Sequence, residues 1–267
     1  MKIAVIQFPG SNCDLDTVYV LRHVINVDAE LVWHREFKAD AYDAVVLPGG
    51  FSYGDALRAG VIAAYSPAMK HVKEMAREGK PVLGICNGFQ VLVESGLLPG
   101  FSGVSQYPEA ALATNIPIGY RCRWVYLKHE NSGKCIFTKE VPRGRVLRIP
   151  IAHAEGRFIF PKEKEKKFLE RLLENDQLVF RYCDDLGKPA DGKYPWNPNG
   201  SFYDIAGICD PSGTIFGLMP HPERAFYGWK INLLIYDRVY HPKILAYIVI
   251  MQQQSSFCSI RNPQRLL

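Results

Sequence analysis

The 267-residue chain is 48% hydrophobic and 12% aromatic, which supports a sizeable core and excludes wholesale disorder. Its 32 basic and 27 acidic residues leave a net charge of +5, scattered and without a nucleic-acid motif, so no nucleic-acid partner is expected. The apolar runs at residues 3–8 and 244–251 are too short for a signal peptide core or a membrane span, and a cytoplasmic protein without membrane contact is expected.

The first hundred residues alternate strand and helix. Residues 2–8 form a compact apolar strand, broken by Pro9-Gly10-Ser11-Asn12 before a predicted helix over about 14–25. Strands follow at 30–34 and 44–47, the latter ending in Pro48-Gly49-Gly50. A long helical pattern covers about 55–77 and closes at Gly79, and residues 81–85 read as a strand buried on both faces. A helix with Phe89, Leu92 and Val93 on one face follows Cys86. This order predicts an α/β fold: a flavodoxin-like, doubly wound, mostly parallel sheet with helices on both faces.

The second half changes to short strands, predicted at 124–128, 136–138, 146–151, 178–182, 203–208 and 214–219, with a turn at Asp210-Pro211-Ser212-Gly213. They read as an antiparallel extension of the same domain. Residues 162–174 form a charged surface helix. The seven cysteines (13, 86, 122, 135, 183, 209 and 258) are odd in number and never form CxxC, so reduced, mostly buried thiols are expected and no metal site.

Cys86 stands apart. Gly84-Ile85-Cys86-Asn87-Gly88 lies between a strand and a helix, the arrangement of a nucleophile elbow with sulfur in place of hydroxyl. The crowded turn demands small neighbours, the helix starting at Asn87 favours negative charge at the sulfur, and the Asn87 N–H is free to hold an oxyanion. Pro48-Gly49-Gly50 lies just past another strand of the parallel sheet, where a second oxyanion donor would be needed. His221 and Glu223, in Pro220-His221-Pro222-Glu223 at the end of the strand predicted over 214–219, supply a base and its orienting carboxylate.

These segments resemble the class I, triad-type glutamine amidotransferases. The longer runs Pro48-Gly49-Gly50-Phe51-Ser52-Tyr53-Gly54-Asp55 and Gly217-Leu218-Met219-Pro220-His221-Pro222-Glu223-Arg224-Ala225 are similar to one branch, the glutaminase subunits of phosphoribosylformylglycinamidine synthase. The resemblance covers residues 1–229 as an amidotransferase domain and leaves 230–267 as a C-terminal extension without an assigned role. It implies Cys86 as nucleophile, His221 and Glu223 as its partners, and Gly50 and Asn87 as oxyanion hole. Gly49, Phe51, Gln90 and His153 are implied as substrate-binding, with Gln90 on the amino-acid head group of L-glutamine. The implied partners are a large ATP-dependent synthetase subunit, which would hold ATP and Mg, and a small accessory subunit; no cofactor is implied in this chain. Ala154 departs from the family's His-Gly-Glu-Gly run. Three alternatives stay open: a glutaminase of another pathway, a cysteine hydrolase or redox protein, and a catalytically silent scaffold.

Overall fold

The computed structural model describes residues 1–226; the expected extension lies outside the described residues. The parallel core comprises β1 (Lys2–Gln7), β2 (Asp28–Trp33), β3 (Ala44–Leu47), β4 (Val82–Ile85) and β11 (Ile215–Leu218). The antiparallel extension comprises β6 (Arg121–His129), β7 (Val146–His153), β9 (Leu178–Cys183) and β10 (Ile205–Cys209). All nine form one sheet in the order β2-β1-β3-β4-β11-β10-β9-β6-β7. Its parallel half has the flavodoxin order, with β11 in fifth place. β1 lies between β2 and β3, so right-handed crossovers put the β1–β2 helix α1 (Asp14–Tyr19) and the β3–β4 helix α3 (Pro67–Arg77) on opposite faces.

β3, β4 and β11 are buried at every position, as a strand covered on both faces should be. β6 and β7 alternate buried and partly exposed residues, the mark of a sheet with one wetter face. The turn from Asp210 to Gly213 joins β10 to β11 as expected, with the Gly213 N–H donating to the Asp210 carbonyl at 3.0 Å.

Four elements differ from the sequence expectation. The helix over 14–25 is α only to Tyr19 and continues as a π-helix over Val20–Val24. The long helix over 55–77 is split into α2 (Val61–Ala64) and α3. Gly60 takes φ +80°, with Val91 N 2.8 Å from where a Cβ would sit, and Ser66 is extended before Pro67, which opens α3 at a position where a missing N–H costs nothing. The expected strand at 136–138 is a turn, held by Asn131 Oδ1, which accepts from the N–H groups of Gly133 and Cys135 at 3.0 Å each. A separate two-stranded sheet of β5 (Ala111–Ala113) and β8 (Arg157–Ile159) was not predicted; three-residue strands carry too little periodicity to read. Further along, α5 (Glu165–Glu174) is the expected charged helix, led by one 3₁₀ turn.

Candidate active site

β3, β4 and β11 run parallel and adjacent, so their carboxyl ends deliver Gly50, Cys86 and His221 to one edge of the sheet. α4 (Asn87–Glu94) starts directly after Cys86. The expected nucleophile position is strained: Cys86 has φ +51° and ψ −104°, a region a side chain rarely occupies. Its backbone is tied on both sides, with Cys86 N–H donating to Leu218 O at 2.8 Å and Gln90 N–H donating to Cys86 O at 3.1 Å. The flanking glycines are needed for space. A Cβ on Gly88 would fall 1.9 Å from Leu47 O, and one on Gly84 would fall 2.6 Å from Gly88 O.

The strand-to-turn segment after β11 places His221. Its N–H donates to Pro150 O at 2.8 Å, and Pro222-Glu223-Arg224 then forms a single 3₁₀ turn. That turn brings Glu223 Oε1 to 2.6 Å from His221 Nδ1, with both side chains buried. Burial opposes charging the imidazole, but the Glu223 carboxylate and the charge available at Cys86 outweigh it and hold His221 well above the usual histidine range. An imidazole with a raised pKa and an orienting carboxylate has the chemistry of a general base.

Asn87 is the first residue of α4, so its N–H has no intrahelical acceptor. Its side chain donates to Gln90 Oε1 at 3.0 Å and accepts from Ser52 N–H at 3.3 Å, which ties the elbow to the loop after β3. Gly50, at φ +145°, is paired with Ser11 through an isolated bridge, and its own N–H is outside the loop's hydrogen bonds.

The other expected residues fall in different surroundings. Gly49 lies against the His221 ring rather than in open space. Phe51 is half exposed and stacks on Tyr120, with ring centroids 6.5 Å apart. Gln90 is buried and both ends of its amide are occupied: Oε1 by Asn87, and Nε2 by the Glu155 carbonyl at 2.5 Å. His153 ends β7, packs on Gly156, and has no hydrogen-bond partner on either ring nitrogen. Burial, aided by the charges of His221 and Arg121, pulls its pKa down to about 3, so it is neutral at physiological pH. Ala154 accepts a backbone bond from Asn115 at 2.9 Å.

Three neighbours escaped the sequence reading. The Cys13 thiol packs beside His221 and receives a hydrogen bond from Arg224 Nη2 at 3.1 Å, while Arg224 Nε donates to Asp16 Oδ2 at 3.2 Å. Burial holds Cys13 above the usual cysteine range against the pull of His221 and Arg224. Tyr120 faces Cys86 and His221, and its phenol is raised by burial and then by the charge at Cys86. A cleft of about 440 Å³ opens beside His221 and Arg224, lined also by Cys122, Trp124 and Ala152. Cys13 follows β1, so the carboxyl-edge rule that singled out Gly50 applies equally to its loop.

Comparison with known proteins agrees with this geometry. The model of the CobB/CobQ-like glutamine amidotransferase domain matches residues 1–247. The phosphoribosylformylglycinamidine synthase subunit PurQ of Archaeoglobus fulgidus is 48% identical over 249 residues, covering 87% of this chain and 90% of the relative. That of Methanosarcina acetivorans is 52% identical over 225 residues, covering 84% and 89%. The solved structure of PurLQS from Thermotoga maritima contains a chain that superposes with a TM-score of 0.72 at 34% identity, covering 93% of this chain and 97% of that one. Among the described residues no helix is long and apolar enough to cross a membrane. The chain belongs to the CobB/CobQ-like glutamine amidotransferase family and, within it, to the PurQ subunits of phosphoribosylformylglycinamidine synthase.

Proposed function

We propose that this chain is the cytoplasmic glutaminase subunit of phosphoribosylformylglycinamidine synthase, which hydrolyses L-glutamine at Cys86 and passes ammonia to the synthetase subunit. The observation that carries the reading is the strained Cys86 elbow set one strand away from a buried His221–Glu223 pair.

His221 takes the thiol proton, and Cys86 Sγ attacks the side-chain carboxamide carbon of glutamine. The N–H groups of Gly50 and Asn87 hold the resulting oxyanion, each such donor lowering the barrier by about 3 kcal/mol. His221 returns the proton to the departing nitrogen, so ammonia leaves and a glutamyl thioester remains. Water then attacks the thioester with His221 as base, releasing glutamate and restoring the thiol. Glu223 holds the imidazole's tautomer and stabilises its cation. Gly49, Phe51, Gln90 and His153 shape the substrate pocket around these groups.

Ammonia in neutral water becomes ammonium, which is no nucleophile, so the synthetase must dock over this edge of the sheet. ATP and Mg act there, on formylglycinamide ribonucleotide, and a small accessory subunit completes the complex. This chain needs no cofactor of its own. The test is glutamate release by wild type and Cys86→Ala, with and without the synthetase, the small subunit, formylglycinamide ribonucleotide and ATP. Release by wild type alone, faster in the complete system, is the expected result. Glutaminase activity indifferent to that synthetase would overturn the pathway but not the chemistry.

A further inference from the structure

Cys13 takes no part in the chemistry above, yet its sulfur sits in a buried polar knot. Cys13 Sγ, a ring nitrogen of His221 and a carboxylate oxygen of Glu223 all lie within 4.8 Å of one another. All three residues are buried. One acceptor in the knot, Glu223 Oε2, has no hydrogen-bond partner although it does not reach solvent. Thiolate, imidazole and carboxylate are the ligands of a borderline-soft divalent cation, whereas magnesium and calcium demand oxygen alone. We propose that Cys13, His221 and Glu223 form a binding site for a zinc-class cation, and that its occupancy withdraws His221 from glutamine hydrolysis.

Charge balance favours the site. A cysteine thiolate and a glutamate carboxylate neutralise a dication held by a neutral imidazole, so no net charge is buried. The thiol hydrogen bond that Cys13 donates to Asn12 Oδ1 at 3.1 Å is given up, and the thiol proton passes to solvent together with the proton on the ligating nitrogen of His221. Zinc bonds of about 2.0–2.3 Å set tetrahedral ligand atoms roughly 3.3–3.7 Å apart. The 2.6 Å contact between His221 Nδ1 and Glu223 Oε1 therefore opens while the sulfur closes in. Among the described residues, Arg224, at 3.1 Å from Cys13 Sγ, is the cation in the way. Its side chain is partly exposed and its other bond is to surface Asp16, so it has room to swing outward. The fourth position is left to water or to a neighbouring thiol.

The binding claim stands apart from the glutaminase reading; the inhibition rests on it. The test uses the full chain as wild type, Cys13→Ala, Cys13→Ser and Cys86→Ala, with zinc affinity measured by competition against a chromophoric chelator. Cobalt substitution reports thiolate ligation through its near-ultraviolet charge-transfer band. Wild type and Cys86→Ala should bind one zinc and show the band. Both Cys13 variants should bind roughly 100-fold more weakly or worse, and in the Cys86→Ala background should lose the band. Zinc inhibition of glutamate release, read against each variant's own uninhibited rate, should weaken in step. Two variants with unchanged circular dichroism guard against a folding defect. Binding that survives loss of Cys13 but not of Cys86 would assign the cation to the nucleophile and overturn the proposal, as would no tight binding by wild type. Zinc binding through Cys13 in a protein without glutaminase activity would keep the site and refute the proposed function.

Discussion

Gly49 lies against the imidazole of His221: a Cβ on Gly49 would fall 2.7 Å from Cε1 of the ring and 3.1 Å from the Cys13 sulfur. The ring is buried and anchored to Glu223, so it has one direction to move, away from its productive place. Gly49→Ala should therefore lower kcat/KM for glutamine by about 10²-fold, the cost of an ångström-scale misplacement. Steady-state kinetics checks this, and a rate near wild type would show that the ring tolerates the shift.

Cys86 holds a backbone conformation that costs a side-chain-bearing residue about 1–3 kcal/mol. Cys86→Gly and Cys86→Ala should both abolish glutamate release, but glycine adopts positive φ freely. Partly offset by its greater freedom when unfolded, Cys86→Gly should be more stable than Cys86→Ala by about 1 kcal/mol. Equal denaturation midpoints for the two variants would argue that the elbow stores no strain.

Glu223→Gln keeps the shape of the side chain but offers the ring a neutral partner in place of an anion. The imidazolium formed during the reaction loses its buried counter-charge. A fall in kcat of about 10³–10⁴-fold is expected, with glutamine KM changed little, because the carboxylate acts on the ring and not on the substrate.

Burial, reinforced by the nearby charge of Glu155, lifts the Asp55 carboxyl from 3.8 to about 6. The folded state thus binds this proton more tightly than the unfolded chain. The associated stability is present at low pH and is lost as pH rises through about 6. Asp55→Asn removes the titration, so its melting temperature should gain on wild type as pH climbs from about 4 to about 7. Parallel melting curves across that range would contradict the shift.

Gln90 donates to Glu155 O and accepts from Asn87, joining the elbow helix to the loop after β7. Gln90→Ala leaves the Glu155 carbonyl without this partner, while Asn87 Nδ2 keeps its 3.3 Å bond to Asp55 Oδ1, and should cost roughly 1–3 kcal/mol in chemical denaturation. It should lower kcat more than it raises KM; the reverse split would show a direct grip on the substrate head group.

The parallel half of the sheet was legible because fully apolar runs such as Val82–Ile85 and Ala44–Leu47 end in glycine-rich turns. The placement of Cys86, His221 and Glu223 at one edge followed from the same rule, since a parallel sheet gathers its carboxyl-end loops. What the sequence hid was tertiary. The split between α2 and α3 depends on Gly60 fitting against Val91, a contact between segments far apart in the chain. The π-helical turn after Tyr19 leaves no pattern in residue type. Cys13 carries no local zinc spacing because its neighbours His221 and Glu223 come from the other end of the described chain. The internal hydrogen bonds of Gln90 were hidden too, because one partner lies on another element and the other a helical turn away.

β11 is the last strand of the described residues, yet it occupies the middle of the nine-stranded sheet, between β4 and β10. Until it inserts, the two groups of four strands share no hydrogen-bonded seam, and the loop bearing His221 has nowhere to dock. Closure of that seam brings together residues of very high sequence separation, a slow step by loop-closure entropy. A chain emerging from the ribosome therefore passes most of its synthesis with Cys86 made and His221 still missing. The edge that gathers Cys86, His221 and Glu223 is therefore complete only once the sheet itself is closed.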